Sequence, residues 1–219
     1  MAKIIEAVEA AGMINAGSTV MIGGFLGAGV PLTFVDRLVE QGTSDLTIIA
    51  NDTDFVDHGI GKLIVNKQIK HVIASHIGTN KETGKQMNEG TTKVTLVPQG
   101  TLAEKIRAAG AGLGGVLTPT GIGTIIEEGK KVIEVQGKKY ILEEAISAEY
   151  AIIKAYKADK KGNLVYRHMA RNFNTIMATA GKVVIAEVEH IVDVGEIGPD
   201  EIITPGIFVD YLVQSEVNK

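Results

Sequence analysis

Cysteine is missing from all 219 residues, which removes disulfides, zinc–thiolate sites and a thiol nucleophile together and fits a reducing compartment. Positive charge is scarce as well: 22 lysines and arginines against 26 acidic residues leave a net charge of −4. Nucleic acids and anionic bilayers bind concentrated positive fields, so neither is expected as the main partner. No apolar run approaches the roughly eighteen uncharged residues of a membrane span. The opening MAKIIEAVEAAGMI interrupts its apolar residues with Lys3, Glu6 and Glu9, so it lacks the core of a signal peptide. A cytoplasmic location is the expectation. The five histidines show neither HxxxH nor HExxH spacing, so no metal site is expected. Proline- or serine-rich linkers, repeats and low-complexity tracts are absent too.

What is present alternates. An amphipathic helix is expected from Lys3 to Met13, a strand at TVMIG (Thr19 to Gly23) and a helix opening at Pro31, a residue suited to a first turn. β-branched runs follow at Leu46 to Ala50, His71 to Ser75 and Lys93 to Pro98, the last leading into a helical TLAEKIRAAG. Strands separated by helices signal a parallel sheet with crossovers. In KKVIEVQGKKYIL, Gln136-Gly137 between two strand-like runs suggests a hairpin, EYAIIKAYKAD a long strand, NFNTIMATAG a helix and KVVIAEV a last strand. The expected class is α/β, a mixed, largely parallel sheet flanked by helices, in a single domain over residues 1–219. The segment from Gly110 to Thr124 is too rich in glycine for a helix and reads as a structured loop, the wall of a site or of an interface.

Open α/β sheets bind ligands outside the carboxyl ends of their strands. The candidate strands end in Gly23, Gly24, Phe25, Leu26, Gly27, Ala28 and Gly29, in Asn51-Asp52, in His76, and in Gln99-Gly100, so these should meet on one edge. GGFLGAGVP runs from a strand end to a helix start, where backbone N–H groups can approach an anion, a phosphate or a carboxylate. It matches neither GxGxxG nor GxxxxGK[ST] and would also serve as a tight turn. Asn51 could donate to an oxyanion or cap a turn, and Gln99 could hold a carboxylate or satisfy loop backbone. The histidines read as surface or satisfied core residues, and Glu127-Glu128 and Glu143-Glu144 as solvated charges.

GSTVMIGGFLGAGVP, VPQGTLAEKIRAAGAG, TPTGIGT, the EEG at Glu127 to Gly129, ILEEAI and ARNFN, in that order, resemble the alpha subunit of class I CoA-transferases, or the N-terminal half of single-chain versions. Ala16 stands where that family usually has Asp or Asn. The resemblance covers nearly the whole chain. It implies a sheet shared with ribose-phosphate isomerase and glucosamine-phosphate deaminase relatives, and a beta subunit of similar fold. It also implies transfer of CoA between a 3-oxoacid such as acetoacetate and acetate or butyrate. Acyl-CoA and a short-chain acid would be the substrates and coenzyme A a cosubstrate, with no tightly bound cofactor. The family nucleophile is a glutamate in a Ser-Glu-Asn-Gly motif of the beta half; neither Glu89-Gly90 nor Ser215-Glu216 supplies that motif here. By the same resemblance Asn51 is the oxyanion donor, Gln99 contacts substrate, and Gly23 to Gly29 bind CoA. A related CoA lyase, a phosphosugar isomerase or a non-catalytic sensor on the same sheet are the alternatives.

Overall fold

The structure, a computed structural model, describes residues 2–216. In chain order its elements are β1 (Lys3–Ile4), α1 (Ala7–Gly12), β2 (Thr19–Ile22), α2 (Leu32–Gln41), β3 (Leu46–Ile49), α3 (Ile60–Val65), β4 (Ile69–Ala74), α4 (Lys81–Asn88), β5 (Lys93–Leu96) and α5 (Gln99–Gly110). There follow β6 (Gly115–Thr118), β7 (Val132–Val135), β8 (Lys138–Glu144), β9 (Ala148–Asp159), β10 (Leu164–Val165), a 3-10 turn (His168–Arg171), α6 (Asn174–Met177), β11 (Gly181–Val192) and β12 (Tyr211–Gln214).

The main sheet runs β1-β12-β11-β9-β2-β3-β4-β5, every neighbour parallel, with β10 alone antiparallel on β9. β2 and β3 are short, mostly apolar runs because both faces of the sheet are covered. On one face Phe34, Leu38, Leu63 and Ile64 of α2 and α3 pack on Val20, Ile22 and Ile48; on the other Leu102 and Ile106 of α5 and Met177 of α6 pack on Met21, Ile49 and Ile153. All are fully buried, each worth about 1.5–3 kcal/mol of transfer free energy. β9 and β11 are the long spine, in register from Ala148 with Gly181 to Asp159 with Val192. Only glycine fits at 181, where a Cβ would lie 2.6 Å from that of Ala151.

The expected hairpin forms: Gln136 (φ 51°) and Gly137 (φ 74°) make the doubly left-handed turn that suits strand twist. It does not join the main sheet, however, but a separate antiparallel sheet β6-β8-β7. Three other expectations are corrected. Lys3 and Ile4 are a strand rather than a helix start, because they pair with Tyr211 and Leu212. The segment read as a loop contains β6. Its glycine at 115 permits close pairing, since a Cβ there would lie 2.5 Å from the Glu143 carbonyl oxygen. The helix of NFNTIMATAG is a single turn, Asn174–Met177. Among the described residues no helix is long and apolar enough to cross a membrane.

Candidate active site

Because β2 to β5 are parallel, the segments that follow them leave from one edge, and the residues singled out there do converge. Asn51, next after Ala50 beyond β3, is 2% exposed. Its Oδ1 accepts from Ser75 Oγ at 2.9 Å and from Gln99 Nε2 at 2.8 Å, while its Nδ2 donates to Asp52 Oδ2 at 2.7 Å. Ser75 N and Ser75 Oγ both donate to the Asn51 carbonyl at 2.8 Å. Two residues 48 positions apart thus share a direct bond. Gln99 is the first residue of α5, which begins after Pro98 without a side-chain cap. The Asn51 amide is oriented from both ends, and among the described residues one of its two N–H donors remains uncommitted.

The glycine loop is tied down from both sides. Phe25 and Ala28 exchange backbone bonds of 3.0 and 2.9 Å around Leu26 (φ 47°) and Gly27 (φ 83°). Leu26 N donates to Asp52 Oδ2 at 2.9 Å and Gly27 N to Asp54 Oδ1 at 3.0 Å. Asp52 also accepts from Asp54 N at 2.8 Å, and Asp54 from Ile60 N, at the start of α3, at 2.9 Å. At two positions of this loop the backbone N–H groups are thus taken by the protein's own carboxyl groups. The same holds for the helix that follows. Phe34 N, in the first turn of α2, donates to Glu187 Oε2 at 3.0 Å. The other oxygen of Glu187 meets Lys154 Nζ at 3.0 Å and Ser215 Oγ at 2.8 Å.

From the opposite side come two asparagines of ARNFN. Asn172 Nδ2 donates to Ala28 O at 2.9 Å. Asn174, fully buried, donates to Gly29 O and Ala170 O, both at 2.9 Å, and accepts from Lys154 N at 2.8 Å. The loop sits so close that a Cβ on Gly23 would lie 1.8 Å from Asn174 Oδ1, which explains why glycine is required there. Sequence reasoning found the segment but not these roles, nor those of Asp52, Asp54 and Glu187.

Burial pushes the Asp54 carboxyl up to about 7; the N–H of Ile60 and that of Gly27 oppose this, and the charge of Asp52 adds to it. Glu143, expected to be solvated, is instead 2% exposed and ion-paired with Lys105 at 2.8 Å and with Lys130. Burial would raise its carboxyl, but the two ammonium groups hold it below the usual range. Glu144 is exposed. His71, at the sheet's far side from β9, is lowered by burial and by Lys93. Among the described residues no group of three or more histidine or carboxylate side chains could hold a metal ion.

The Coenzyme A transferase family model matches residues 4–215. The chain belongs to that family. It is 50% identical over 217 residues to the acetate CoA-transferase subunit alpha of Escherichia coli (strain K12), covering 99% of both chains. It is 47% identical over 212 residues to the acetoacetyl-CoA:acetate/butyrate CoA transferase alpha subunit of Clostridium acetobutylicum, covering 97% of both. Solved structures agree on the fold. An acyl-CoA transferase of Escherichia coli O157:H7, a thioester complex with CoA, gives a TM-score of 0.89 at 22% identity. The match covers 100% of this chain and 48% of that one, so the chain spans about half of that larger protein. Glutaconate CoA-transferase of Acidaminococcus fermentans gives 0.85 at 22% identity, over 98% of this chain and 76% of that one. On this CoA-transferase fold, the paired amides of Asn51 and Gln99 and the fastened glycine loop lie at the edge where open α/β sheets bind their ligands.

Proposed function

We propose that this chain is the alpha subunit of a CoA-transferase that moves CoA between a 3-oxoacid such as acetoacetate and acetate or butyrate, completed by a beta subunit that supplies the nucleophilic glutamate. One observation carries the reading: among the described residues, the site beside Asn51 offers amide donors but no uncommitted carboxylate. Asp52 accepts three N–H groups and Asp54 two, so neither is free to attack a thioester. This supports a carboxylate nucleophile supplied by another chain.

The chemistry is then covalent catalysis by a carboxylate. The partner's glutamate oxygen adds to the acyl-CoA carbonyl, and collapse releases CoA thiolate and leaves an acyl-glutamyl anhydride. The thiolate attacks the glutamyl carbonyl of the anhydride, giving a glutamyl-CoA thioester and the free acid. The acceptor acid runs the two steps backwards and leaves as its CoA ester. Each tetrahedral intermediate carries an oxyanion, for which the remaining N–H of Asn51 Nδ2 is the donor. Gln99 orients that amide and contacts the substrate's carboxylate or carbonyl, and the loop from Gly23 to Gly29 borders bound CoA. CoA enters and leaves as cosubstrate without a tightly bound cofactor, and residues 1–219 act as a single cytoplasmic domain.

The test mixes the purified chain, with and without its co-encoded neighbour, with acetoacetyl-CoA and acetate and follows acetyl-CoA. Acetyl-CoA formed only by the mixture is the expected result. Its absence from both, across several acids, would remove the transferase reading.

A further inference from the structure

Of the chain's four arginines, Arg37 is bound to Glu40 and Glu216, and Arg107 to Glu104. Arg167 and Arg171 have no carboxylate within ion-pair distance among the described residues, and both are exposed at the 3-10 turn that ARNFN fastens to the glycine loop. Arg167 is also organised. Its guanidinium carbon stands 5.1 Å from the centroid of the Tyr156 ring, and its Nε donates to His168 Nε2 at 3.0 Å. His168 itself has φ 52°, a left-handed backbone that a side-chain-bearing residue seldom takes. The ring and the imidazole hold the guanidinium from its Nε side, and neither terminal NH2 group has a hydrogen-bond partner among the described residues, leaving a fork that matches two oxygens of a phosphate. With Nε2 accepting, His168 carries its proton on Nδ1, a further donor.

Between this turn and the glycine loop lies a cavity of about 330 Å³, bordered by Gly27, Gly29, Lys154, Tyr156, Arg167 and Glu189 among others. That is the size of a small-ligand site. Its inner charges answer one another: Lys154 Nζ lies 3.0 Å from Glu187 and 3.9 Å from Glu189, and the N-terminus of α2 faces Glu187 as well. The charge of Arg167 is left over at the mouth. In the sheet order β9 and β3 flank β2, so the loop after β2 separates this cavity from Asn51.

We propose that this cavity holds a phosphate group of CoA against Arg167 and His168, with the glycine loop between it and the amides at the thioester. The inference rests on the transferase reading for the identity of the ligand. The assembled complex is to be compared with two substrates, acetoacetyl-CoA and acetoacetyl-pantetheine, the second lacking every phosphate. In Arg167→Ala the ratio of their kcat/KM values, CoA thioester over pantetheine thioester, should fall about ten- to hundredfold, the effect of losing a charged hydrogen-bonding partner. Arg167→Lys, which keeps the charge and loses the fork, should fall part of the way. An unchanged ratio overturns the site. So does an unchanged ratio accompanied by weaker subunit association on gel filtration, which would make Arg167 a contact with the beta subunit. Should the wild-type complex turn over neither thioester, the transferase reading fails separately. Calorimetric binding of CoA then decides the site: Arg167→Ala should weaken it by the same factor, and equal affinity overturns the proposal.

Discussion

At the scale of the residue, Asn51 is held by three side chains, and each bond has a consequence. Ser75 and Gln99 occupy its carbonyl oxygen, so the amide cannot turn over without placing its NH2 against their donors. Asp52 takes one amide hydrogen, and the other has no acceptor among the described residues. A donor fixed in advance loses nothing to reorganisation when the oxyanion forms, and removing one such group typically lowers turnover roughly 10²- to 10³-fold. Asn51→Ala, assayed with the partner and shown by circular dichroism to be folded, is expected to lose kcat on that scale with a smaller change in KM. A folded variant with the wild-type turnover number would take the oxyanion role away from Asn51. Asn51→Asp should be worse than alanine, since it sets a second carboxylate against Asp52 and against the developing negative charge.

At the scale of the element, the glycine loop has its shape imposed by Asp52 and Asp54 on one side and by Asn172 and Asn174 on the other. Asp54 makes that restraint dependent on pH. Its carboxyl, about 7 in the folded chain against about 4 in an unfolded one, binds a proton more tightly when folded. Its contribution to stability is therefore present in full below about pH 4 and is lost as pH rises through about 7. Urea titrations of the wild type and Asp54→Asn should show the wild type losing ground between those limits and running parallel to the variant above pH 8. Parallel curves across the whole range would mean that Asp54 titrates as an ordinary exposed carboxyl. The strands β2 to β5 were legible because each is a short β-branched run bounded by turn residues, and so was the Gln136-Gly137 turn. The restraints on the loop were not. Asp52 reaches back 26 residues to Leu26, and Asn174 reaches back 145 to Gly29, so no local pattern marks either. β1 escaped for the same reason, since a two-residue strand exists only by pairing with the far end of the chain.

At the scale of the whole molecule, one buried cluster joins elements from both halves of the sequence. Glu187 of β11, fully buried, caps α2 through Phe34 N and meets Lys154 of β9 and Ser215 just beyond β12. Lys154 is 7% exposed. Ion pairs this deep add little net stability beside a well-packed apolar substitute, because desolvation offsets most of the attraction. Removing one partner is different, since the other charge stays buried without compensation, at a cost of about 3–5 kcal/mol. Lys154→Met should accordingly lower the free energy of unfolding by that amount, read as a lower urea midpoint at an unchanged m-value. Adding Glu187→Gln should recover most of the loss, because the neutral amide can still accept from Phe34 N and the carboxylate that remains, Glu189, is partly exposed to solvent. A double variant as unstable as Lys154→Met would show that packing around the long Lys154 chain, and not the pairing of charges, is what holds α2, β9, β11 and the end of β12 together.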